Sequence, residues 1–254
     1  MWYQIVAYFR FLMKSTNQHG VHSPFVYDLV TKCFYDKKPK EIYQTIENYR
    51  NDLLNNHTAI EVKDFGAGSR VFSSNKRKVS AIAKNAGITR KRAKLLARLV
   101  SYFNIKNSLE LGTSLGMATI AMKESSEVFT LEGCPETANI AQQQFKKYDF
   151  TNVNLYVDEF SASLSKLTNI SYDLIYIDGN HQKEATLHYF DQLVKTALND
   201  TVFIFDDIHW SKEMSEAWEI IKNRPEVTVT IDTFFWGFVF IRQEQAKEHF
   251  TIRV

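Results

Sequence analysis

One stretch, residues 108–119, constrains the fold more than any other part of this 254-residue chain. It reads Ser-Leu-Glu-Leu-Gly-Thr-Ser-Leu-Gly-Met-Ala-Thr, which predicts a short apolar strand, a glycine loop and a helix from Met117 to Lys123. Glu132 closes the next apolar run, 128–131, and stands about 20 residues further along the chain. Loop glycines let the backbone approach a ligand, free N–H groups at a helix N-terminus bind a carboxylate or phosphate, and an acid at this distance can bind ribose hydroxyls. The pattern therefore predicts a site for a nucleoside cofactor.

The spacing within the loop indicates which cofactor. Glu110 precedes Gly112 by two residues, and Ser114 occupies the place where the dinucleotide fingerprint G-x-G-x-x-G has its second glycine. A carboxylate in this position can bind an ammonium group, whereas it would repel a pyrophosphate. S-adenosylmethionine carries an α-amino group and no phosphate. The E-x-G-x-x-x-G pattern that ends at Gly116 therefore favours S-adenosylmethionine.

This pattern resembles the class I S-adenosylmethionine-dependent methyltransferases, and within them the small-molecule O-methyltransferases, over about residues 102–254. The resemblance implies a Rossmann-like α/β fold with a seven-stranded, doubly wound sheet whose last strand is antiparallel. It implies that Glu110 binds the cofactor amino group and Glu132 the ribose, while Glu159 and Phe160 either meet the adenine or form a surface turn. The predicted cofactor-binding residues are Glu110, Gly112, Thr113, Ser114, Gly116, Glu132, Glu159, Phe160 and Asp178.

The pattern of apolar residues divides the chain near Ser101. Residues 1–100 read mainly as helices and are predicted to form a cap or substrate segment, whereas 101–254 alternate strands and helices and are predicted to form the cofactor-binding methyltransferase domain. Strands are predicted at residues 107–111, 128–131, 153–157, 172–177, 201–205, 227–232 and 238–242, and helices at 117–123, 135–148, 183–198 and 212–222.

Acidic residues follow the fourth and fifth predicted strands of this domain. Asp178-Gly-Asn-His181 ends one run, and Asp206-Asp207 ends the next. Three carboxylates at neighbouring strand ends repel one another unless a proton or cation intervenes, and oxygen ligands suit Mg²⁺ or Mn²⁺. The alternative is that these aspartates cap the turns and helices that follow.

The resemblance also bears on this choice. Divalent-metal O-methyltransferases of the catechol type and of the macrolide and cephalosporin tailoring type have metal-binding acids at these places, which implies a metal site at Asp178, Asp206 and Asp207. In the tailoring type a histidine three residues past the first acid is the general base, which implies His181, with His209 as a rival. A phenol has a pKa near ~10, so metal coordination and a histidine with a pKa near ~6.5 would together release its proton.

Residues 70–98 form a basic segment without a single acid. The basic residues are Arg70, Lys76, Arg77, Lys78, Lys84, Arg90, Lys91, Arg92, Lys94 and Arg98. Such a segment can bind RNA or an anionic small molecule, but the formal net charge of the chain is only +2 and a solvated basic helix face is common. An RNA methyltransferase and a non-catalytic cofactor-binding protein are therefore the alternatives to a small-molecule enzyme. No N-P-P-Y-like tetrapeptide follows the fourth strand, which favours oxygen over amine acceptors.

A second glycine loop, Asp64-Phe-Gly-Ala-Gly-Ser69, has no acid-ended strand after it at the required distance. We expect it to form a hinge or lid over the cofactor cleft. His22, in the turn from Gly20 to Phe25, either lines a substrate site or serves the structure.

The first segment is amphipathic. Apolar residues recur at helical spacing, and Arg10 and Lys14 lie on another side of the predicted helix. The apolar residues are Trp2, Ile5, Val6, Phe9, Leu12 and Met13. We expect this stripe to pack on the main domain, because helices that bind membranes usually carry a richer basic face.

The remaining expectations concern compartment and assembly. No run reaches the ~18 apolar residues of a membrane span, and no basic leader with a cleavage site is recognisable. Cys33 and Cys134 lie far apart and suit free thiols in a reducing compartment. The sequence predicts a cytoplasmic protein that acts on a small, aromatic or anionic acceptor, and it leaves a homodimer open as the form of assembly.

Overall fold

The structure, a computed structural model, describes residues 2–63, 65–66, 68, 72–167 and 169–254. The described residues form two compact units, one from the chain up to Asp36 together with the chain after Leu167, the other from Lys37–Leu167. The helices are α1 (Trp2–Lys14), α2 (Pro24–Leu29), α3 (Ile42–Leu54), α4 (Val79–Asn85), α5 (Arg90–Tyr102), α6 (Pro135–Lys147), α7 (Phe160–Ser165), α8 (Lys183–Leu193) and α9 (Lys212–Lys222). The strands are β1 (Ala59–Glu61), β2 (Lys76–Lys78), β3 (Asn107–Leu111), β4 (Glu127–Glu132), β5 (Val153–Val157), β6 (Leu174–Ile177), β7 (Val202–Asp206), β8 (Val229–Asp232), β9 (Trp236–Phe240) and β10 (Glu248–Thr251).

The unit from Lys37–Leu167 contains the parallel strands β3, β4 and β5 in that order. Leu111 pairs with Leu131 in the register of the first two strands, so β3 and β4 end at the same edge. Helix α5 buries Leu96, Leu99 and Val100, the apolar face that its 3.6-residue period predicts. Strands β1 and β2 form a small antiparallel ribbon of their own.

The other unit contains five strands in the order β10-β8-β9-β7-β6. Strands β6 and β7 run parallel, with Ile177 opposite Phe205, and every residue of both strands is buried. Strand β9 runs antiparallel to β7 and β8, and β10 pairs in parallel with β8. Burial along the full length of β6 and β7 is typical of strands covered on both faces of an α/β sheet.

The N-terminal segment belongs to this second unit. Thr16 forms an isolated parallel bridge with Ile252, and the Tyr35 hydroxyl donates to the carbonyl of Arg253 at 2.7 Å. Phe25 packs edge-on against Phe240, with ring centroids 5.0 Å apart. These contacts join segments that are far apart in sequence and carry no local signal of their pairing.

The predicted α/β class and most predicted elements are confirmed. Strands β3 and β5 and helix α9 have the predicted bounds, and Ser211 caps α9 by accepting the N–H of Met214. The predicted antiparallel strand is β9, but the described chain adds β10, so the main strands number eight and not seven. The predicted division at residue 101 concerns function and stays a prediction; the compact units divide elsewhere, after residues 36 and 167.

Helix α1 packs by a different face from the one that the sequence predicts. The predicted apolar stripe does not pack, because Trp2, Phe9 and Met13 are among the most exposed apolar side chains of the described chain. Instead Tyr8 and Phe11 pack on Phe234, at ring-centroid distances of 4.8 and 5.6 Å. In the described ranges, no helix combines the length and apolar character that crossing a membrane requires.

Candidate functional site

The glycine loop that follows β3 is held by the end of β4. The N–H groups of Gly112 and Thr113 both donate to the carbonyl of Leu131, at 2.9 and 3.0 Å, and the N–H of Ser114 donates to Glu132 at 2.8 Å. Gly112 and Ser114 have φ of 105° and 49°, in the left-handed region that glycine tolerates best. These hydrogen bonds and backbone conformations define the shape of the loop.

The prediction of a helix directly after this loop is wrong. Residues 117–122 are all buried, and only a 3-10 turn forms, over Thr119–Met122. Tertiary packing has overridden the helix propensity of the segment. The long helix N-terminus expected to offer free N–H groups to a ligand is therefore absent, and the N–H groups of residues 112–114 bind protein acceptors instead.

Gly116 is required by packing. Its φ is 76°, and a Cβ atom at this position would collide with the Tyr49 hydroxyl and the Phe145 ring. Tyr49, on α3, donates its hydroxyl to the carbonyl of Leu115 at 2.8 Å and thus supports the loop from the protein side. Packing alone already requires this second glycine, and its contact with a ligand stays a prediction. Tyr49 is a supporting residue that sequence reasoning missed.

Glu110 lies at the centre of the loop's polar chemistry and is completely buried. Its Oε2 accepts hydrogen bonds from the hydroxyls of Thr119 (2.6 Å) and Thr130 (2.5 Å), and the hydroxyls of Thr130 and Thr113 lie 2.5 Å apart. Its Oε1 is buried without a hydrogen-bond partner. Burial raises the pKa of Glu110 to about 8, against the opposing effect of the two hydroxyl donors. A buried acceptor of this kind fits an ammonium group, which would satisfy Oε1 and favour the ionised carboxylate.

Glu132 ends β4 as predicted, and its carboxylate holds two backbone groups. One oxygen accepts the N–H of Ser114 and the other accepts the N–H of Cys134, at 2.8 and 2.9 Å. Carboxylate oxygens only accept hydrogen bonds, which is the chemistry that ribose hydroxyls require of a partner. The predicted ribose role is compatible with this geometry and stays a prediction.

The predicted adenine residues lie beyond β5. Glu159 precedes α7, and Phe160 is the first residue of this helix, which the sequence analysis missed. The N–H of Asp158 donates to the carbonyl of Glu132 at 3.1 Å, so the ends of β4 and β5 are tied together. The contact of Glu159 and Phe160 with adenine stays a prediction.

The acidic strand ends belong to the other unit. Asp178 directly follows β6, Asp206 is the last residue of β7, and Asp207 follows it with φ of 52°. The capping alternative is not confirmed for the two helices, since α8 follows Gln182 and α9 follows Ser211 as their N-cap residues. Asp178, Asp206 and Asp207 are therefore not the N-cap residues of α8 or α9.

These aspartates do not form a metal centre as they stand. Across the described ranges, no group of three or more histidine, cysteine, aspartate or glutamate side chains is arranged to hold a metal ion. Oxygen donors suit Mg²⁺ chemically, but the placement of the side chains does not fit the ion. The metal site at Asp178, Asp206 and Asp207 stays a prediction.

His181 lies in a tight turn after β6. Its Nε2 is 3.6 Å from Oδ1 of Asp178, and its ring centroid is 6.4 Å from that of Trp210. The Tyr176 hydroxyl donates to Oδ2 of the same aspartate at 3.0 Å. Asn180 and His181 have φ of 70° and 43°, and non-glycine residues in this region are concentrated at functional sites.

His209, the rival base, has a structural role. Its Nε2 lies 2.8 Å from Oδ2 of Asp232, and its Nδ1 lies 3.0 Å from the Ser215 hydroxyl. The ring also stacks on Phe234 at 5.4 Å. Both ring nitrogens are thus engaged with protein groups, and the arrangement favours His181 over His209 as the candidate base.

The basic segment is partly neutralised. Arg90 and Lys94 of α5 both pair with Glu47 of α3, at 2.8 and 2.9 Å, and the Lys94 ammonium lies 5.4 Å from the ring centroid of Tyr43. Arg70 lies outside the described residues. This geometry supports the interpretation of a helix face that packs and is solvated.

Two loop predictions are only partly accessible. Of the second glycine loop, Asp64, Ala67 and Ser69 lie outside the described residues. Phe65 is described and lies beside Gly133, where an added Cβ would come within 2.8 Å of its ring. The turn after Gly20 leaves His22 exposed, and its proposed contact with substrate stays a prediction.

Known proteins resemble this chain over the region that contains the candidate site. Residues 109–208, which contain the glycine loop and both acidic strand ends, match the family described as methyltransferase domain. A catechol O-methyltransferase from Niastella koreensis is 26% identical over 176 residues, which are 66% of this chain and 74% of that protein.

Solved structures share the fold. The O-methyltransferase from Bacillus cereus in complex with SAH has a TM-score of 0.55 and 19% identity, over 81% of this chain and 93% of that chain. The O-methyltransferase TomG from Streptomyces achromogenes, in complex with SAM, has a TM-score of 0.57 and 14% identity, over 89% of this chain and 99% of that chain. In its glycine loop, its acid-ended β4 and residues 109–208, the chain is similar to methyltransferase domains, and it shares the fold of these solved O-methyltransferases.

Proposed function

We propose that this methyltransferase transfers the methyl group of S-adenosylmethionine to a hydroxyl oxygen of a small molecule. The observation that carries the proposal is the buried carboxyl of Glu110, whose Oε1 lacks a partner beside a preformed glycine loop. The oxygen acceptor is supported by the catechol O-methyltransferase relative and by the absence of an N-P-P-Y-like tetrapeptide after β6.

The residues of β3 and β4 would hold the cofactor. Glu110 would accept the amino group, the loop from Gly112 to Gly116 would contact the methionyl part, and Glu132 would accept the ribose hydroxyls. When bound, S-adenosylmethionine supplies an electrophilic methyl group on a sulfonium. The loop is already fixed by its bonds to Leu131, so little of the binding free energy is lost in ordering it.

His181 would take the proton from the acceptor hydroxyl. The acceptor is a poor nucleophile while protonated, because a phenol has a pKa near ~10. Asp178 lies beside Nε2 of His181 and would stabilise the charged imidazolium after proton transfer. Positioning of the acceptor oxygen in line with the methyl group would supply much of the remaining rate enhancement.

A divalent ion is a separate part of the proposal. Its support is that Asp178 directly follows β6, that Asp206 ends the parallel strand β7 at the same edge, and that neither is the N-cap residue of the next helix. The side chains as placed do not form a group for the ion, so no step above depends on it. We also propose a reducing, cytoplasmic compartment, because Cys33 and Cys134 are both buried free thiols.

The first experiment is calorimetric titration of S-adenosylmethionine into the wild-type chain and into Glu110→Gln. We expect the substitution to weaken binding about tenfold to a hundredfold, the usual range for a hydrogen bond to a charged group. Glu127→Gln, on the same sheet but exposed, is the matched control and should bind like the wild type. Equal affinity of all three proteins would exclude the proposed role of Glu110, and no binding by the wild type would exclude the cofactor.

The second experiment is methyl transfer to a panel of catechols, phenols and alcohols, followed by mass spectrometry. His181→Asn should lower kcat by about 10²–10⁴ and leave cofactor affinity unchanged, as expected for a general base. His188→Asn, on the exposed side of α8, is the control. Cofactor binding without transfer to any acceptor would favour a non-catalytic binding protein.

The same assay decides on the metal. If the ion takes part, chelation should abolish transfer, added Mg²⁺ should restore it, and Asp178→Asn should remove the response. Asp200→Asn, at the opposite end of β7 and paired with Arg242 at 2.8 Å, is the control. Transfer that survives chelation would mean that the three aspartates do not form a metal site.

A further inference from the structure

Helix α1 presents an apolar face to solvent. The exposed fractions are 77% for Trp2, 44% for Ile5, 62% for Phe9, 36% for Leu12 and 80% for Met13. At 3.6 residues per turn these five side chains lie within an arc of about 100°. We call them the outer face of α1.

The opposite side of the same helix is anchored. Phe11 is buried, and Tyr8 and Phe11 both pack on Phe234, at centroid distances of 4.8 and 5.6 Å. The outer face is thus displayed on a helix that is already folded and fixed to the protein. Single exposed apolar side chains are normal on a protein surface, whereas a contiguous exposed apolar patch marks an interaction site, and the five side chains of the outer face are neighbours on one helix.

The charges carried by α1 itself have one sign. Arg10 and Lys14 are exposed on α1, and residues 2–27 contain no acid. The surface is complementary to an anionic, apolar partner.

We propose that the outer face of α1 docks flat on an anionic lipid surface. A helix of 13 residues with exposed Trp, Phe and Leu on one side can lie in the bilayer interface with that side buried. Its basic face is smaller than that of most such helices, so the exposed apolar face, unknown from the sequence, is what favours the lipid surface. A second copy of the chain fits less well, since pairing of two α1 helices would bring Arg10 and Lys14 near their own copies, and α1 carries no acid of its own to offset them. Anionic headgroups supply that opposite charge. Methyl transfer plays no part in this inference.

The test is flotation of the full-length protein with phosphatidylcholine vesicles, with and without phosphatidylglycerol. We expect the protein to bind the anionic vesicles, and this binding should weaken as the salt concentration rises. Phe9→Glu should lower the binding about tenfold or more, because a charge replaces an apolar side chain that the bilayer interface would bury. Leu198→Glu changes an apolar residue that is 52% exposed away from α1, and it should bind like the wild type. Arg10→Glu should weaken binding to anionic vesicles alone.

Fluorescence supplies an independent signal. Trp2 is 77% exposed, so its emission should shift to shorter wavelength on anionic vesicles, and the shift should be absent in Trp2→Phe. Equal vesicle binding by wild type and Phe9→Glu, or no binding at all, would overturn the proposal. A dimer in size-exclusion chromatography that Phe9→Glu converts to monomer would assign the outer face to a second copy and would overturn it as well.

Discussion

At the scale of the residue, Glu110 sets a pH dependence of stability. Burial raises its pKa to about 8, whereas a glutamate in the unfolded chain has a pKa near 4.5. Between these values the folded protein binds a proton that the unfolded chain has lost. The contribution of this group is therefore fully present below about pH 4.5 and is lost as the pH rises through about 8.

Glu110→Gln should remove this pH dependence of stability, because the glutamine amide does not titrate between pH 4.5 and about 8. We expect the free energy of unfolding of the variant, relative to the wild type, to increase as the pH rises from about 5 to about 8. Urea unfolding at a series of pH values measures it. The exposed Glu127→Gln should differ from the wild type by a constant amount over the same range, and parallel curves for Glu110→Gln would contradict the prediction.

The sequence indicated some site residues and not others. Glu110 and Glu132 could be picked because their spacing to the glycine loop has a chemical meaning. Thr119 and Thr130, which hold the Glu110 carboxyl, could not be picked, because threonine in a buried strand or turn has many possible roles. The choice between His181 and His209 needed the coordinates, since only the contacts of each ring distinguish them.

At the scale of the element, Gly116 of the glycine loop after β3 and Gly68 of the second glycine loop together separate the effect of backbone strain from that of packing. Gly116 and Gly68 both have φ of 76°, but an added Cβ would collide with Tyr49 and Phe145 at the first position and would meet nothing within 4 Å at the second. Backbone strain is therefore common to both substitutions, and overpacking belongs to Gly116 alone.

Gly116→Ala should destabilise the protein by about 1–3 kcal/mol more than Gly68→Ala does, which is the usual cost of overpacking. Gly68→Ala itself should cost about 1–2 kcal/mol, the cost of a left-handed alanine. Equilibrium unfolding in urea measures both. Equal losses for the two variants would mean that the loop relaxes around the new methyl group and that Gly116 serves only its backbone conformation.

Other elements show why periodicity is an incomplete guide. The hydrophobic pattern located α1 but not the side by which it packs, because Tyr8 and Phe11 find Phe234 while the more apolar stripe stays exposed. Residues 117–123 do not form the predicted helix, because residues 117–122 are all buried and their packing favours a 3-10 turn over Thr119–Met122. Strand β10 was missed because Glu248 and His249 are exposed and the strand lacks alternating apolar residues.

At the scale of the whole molecule, alternation of strands and helices was sufficient to predict an α/β sheet. It could not predict that the N-terminal segment joins the C-terminal strands, since Tyr35 and Arg253 meet across 218 residues of sequence. It could predict that acids follow β6 and β7, because strand ends are visible in the sequence. The distances between those acids depend on side-chain placement, which no local pattern encodes.

The distribution of charge over the molecule argues against RNA as the substrate. The formal net charge is +2, and Arg90 and Lys94, in the last third of the basic segment, both pair with Glu47. We therefore expect the chain to bind single-stranded RNA no more tightly than the ~10⁻⁴–10⁻⁶ M typical of non-specific contacts at physiological salt, and to transfer no methyl group to it. Fluorescence anisotropy with a labelled oligonucleotide measures the affinity, and Lys76→Glu combined with Lys78→Glu tests the exposed β2 cations. Tight binding that falls steeply with salt and is lost in this double variant would instead make RNA the acceptor to examine before any phenol.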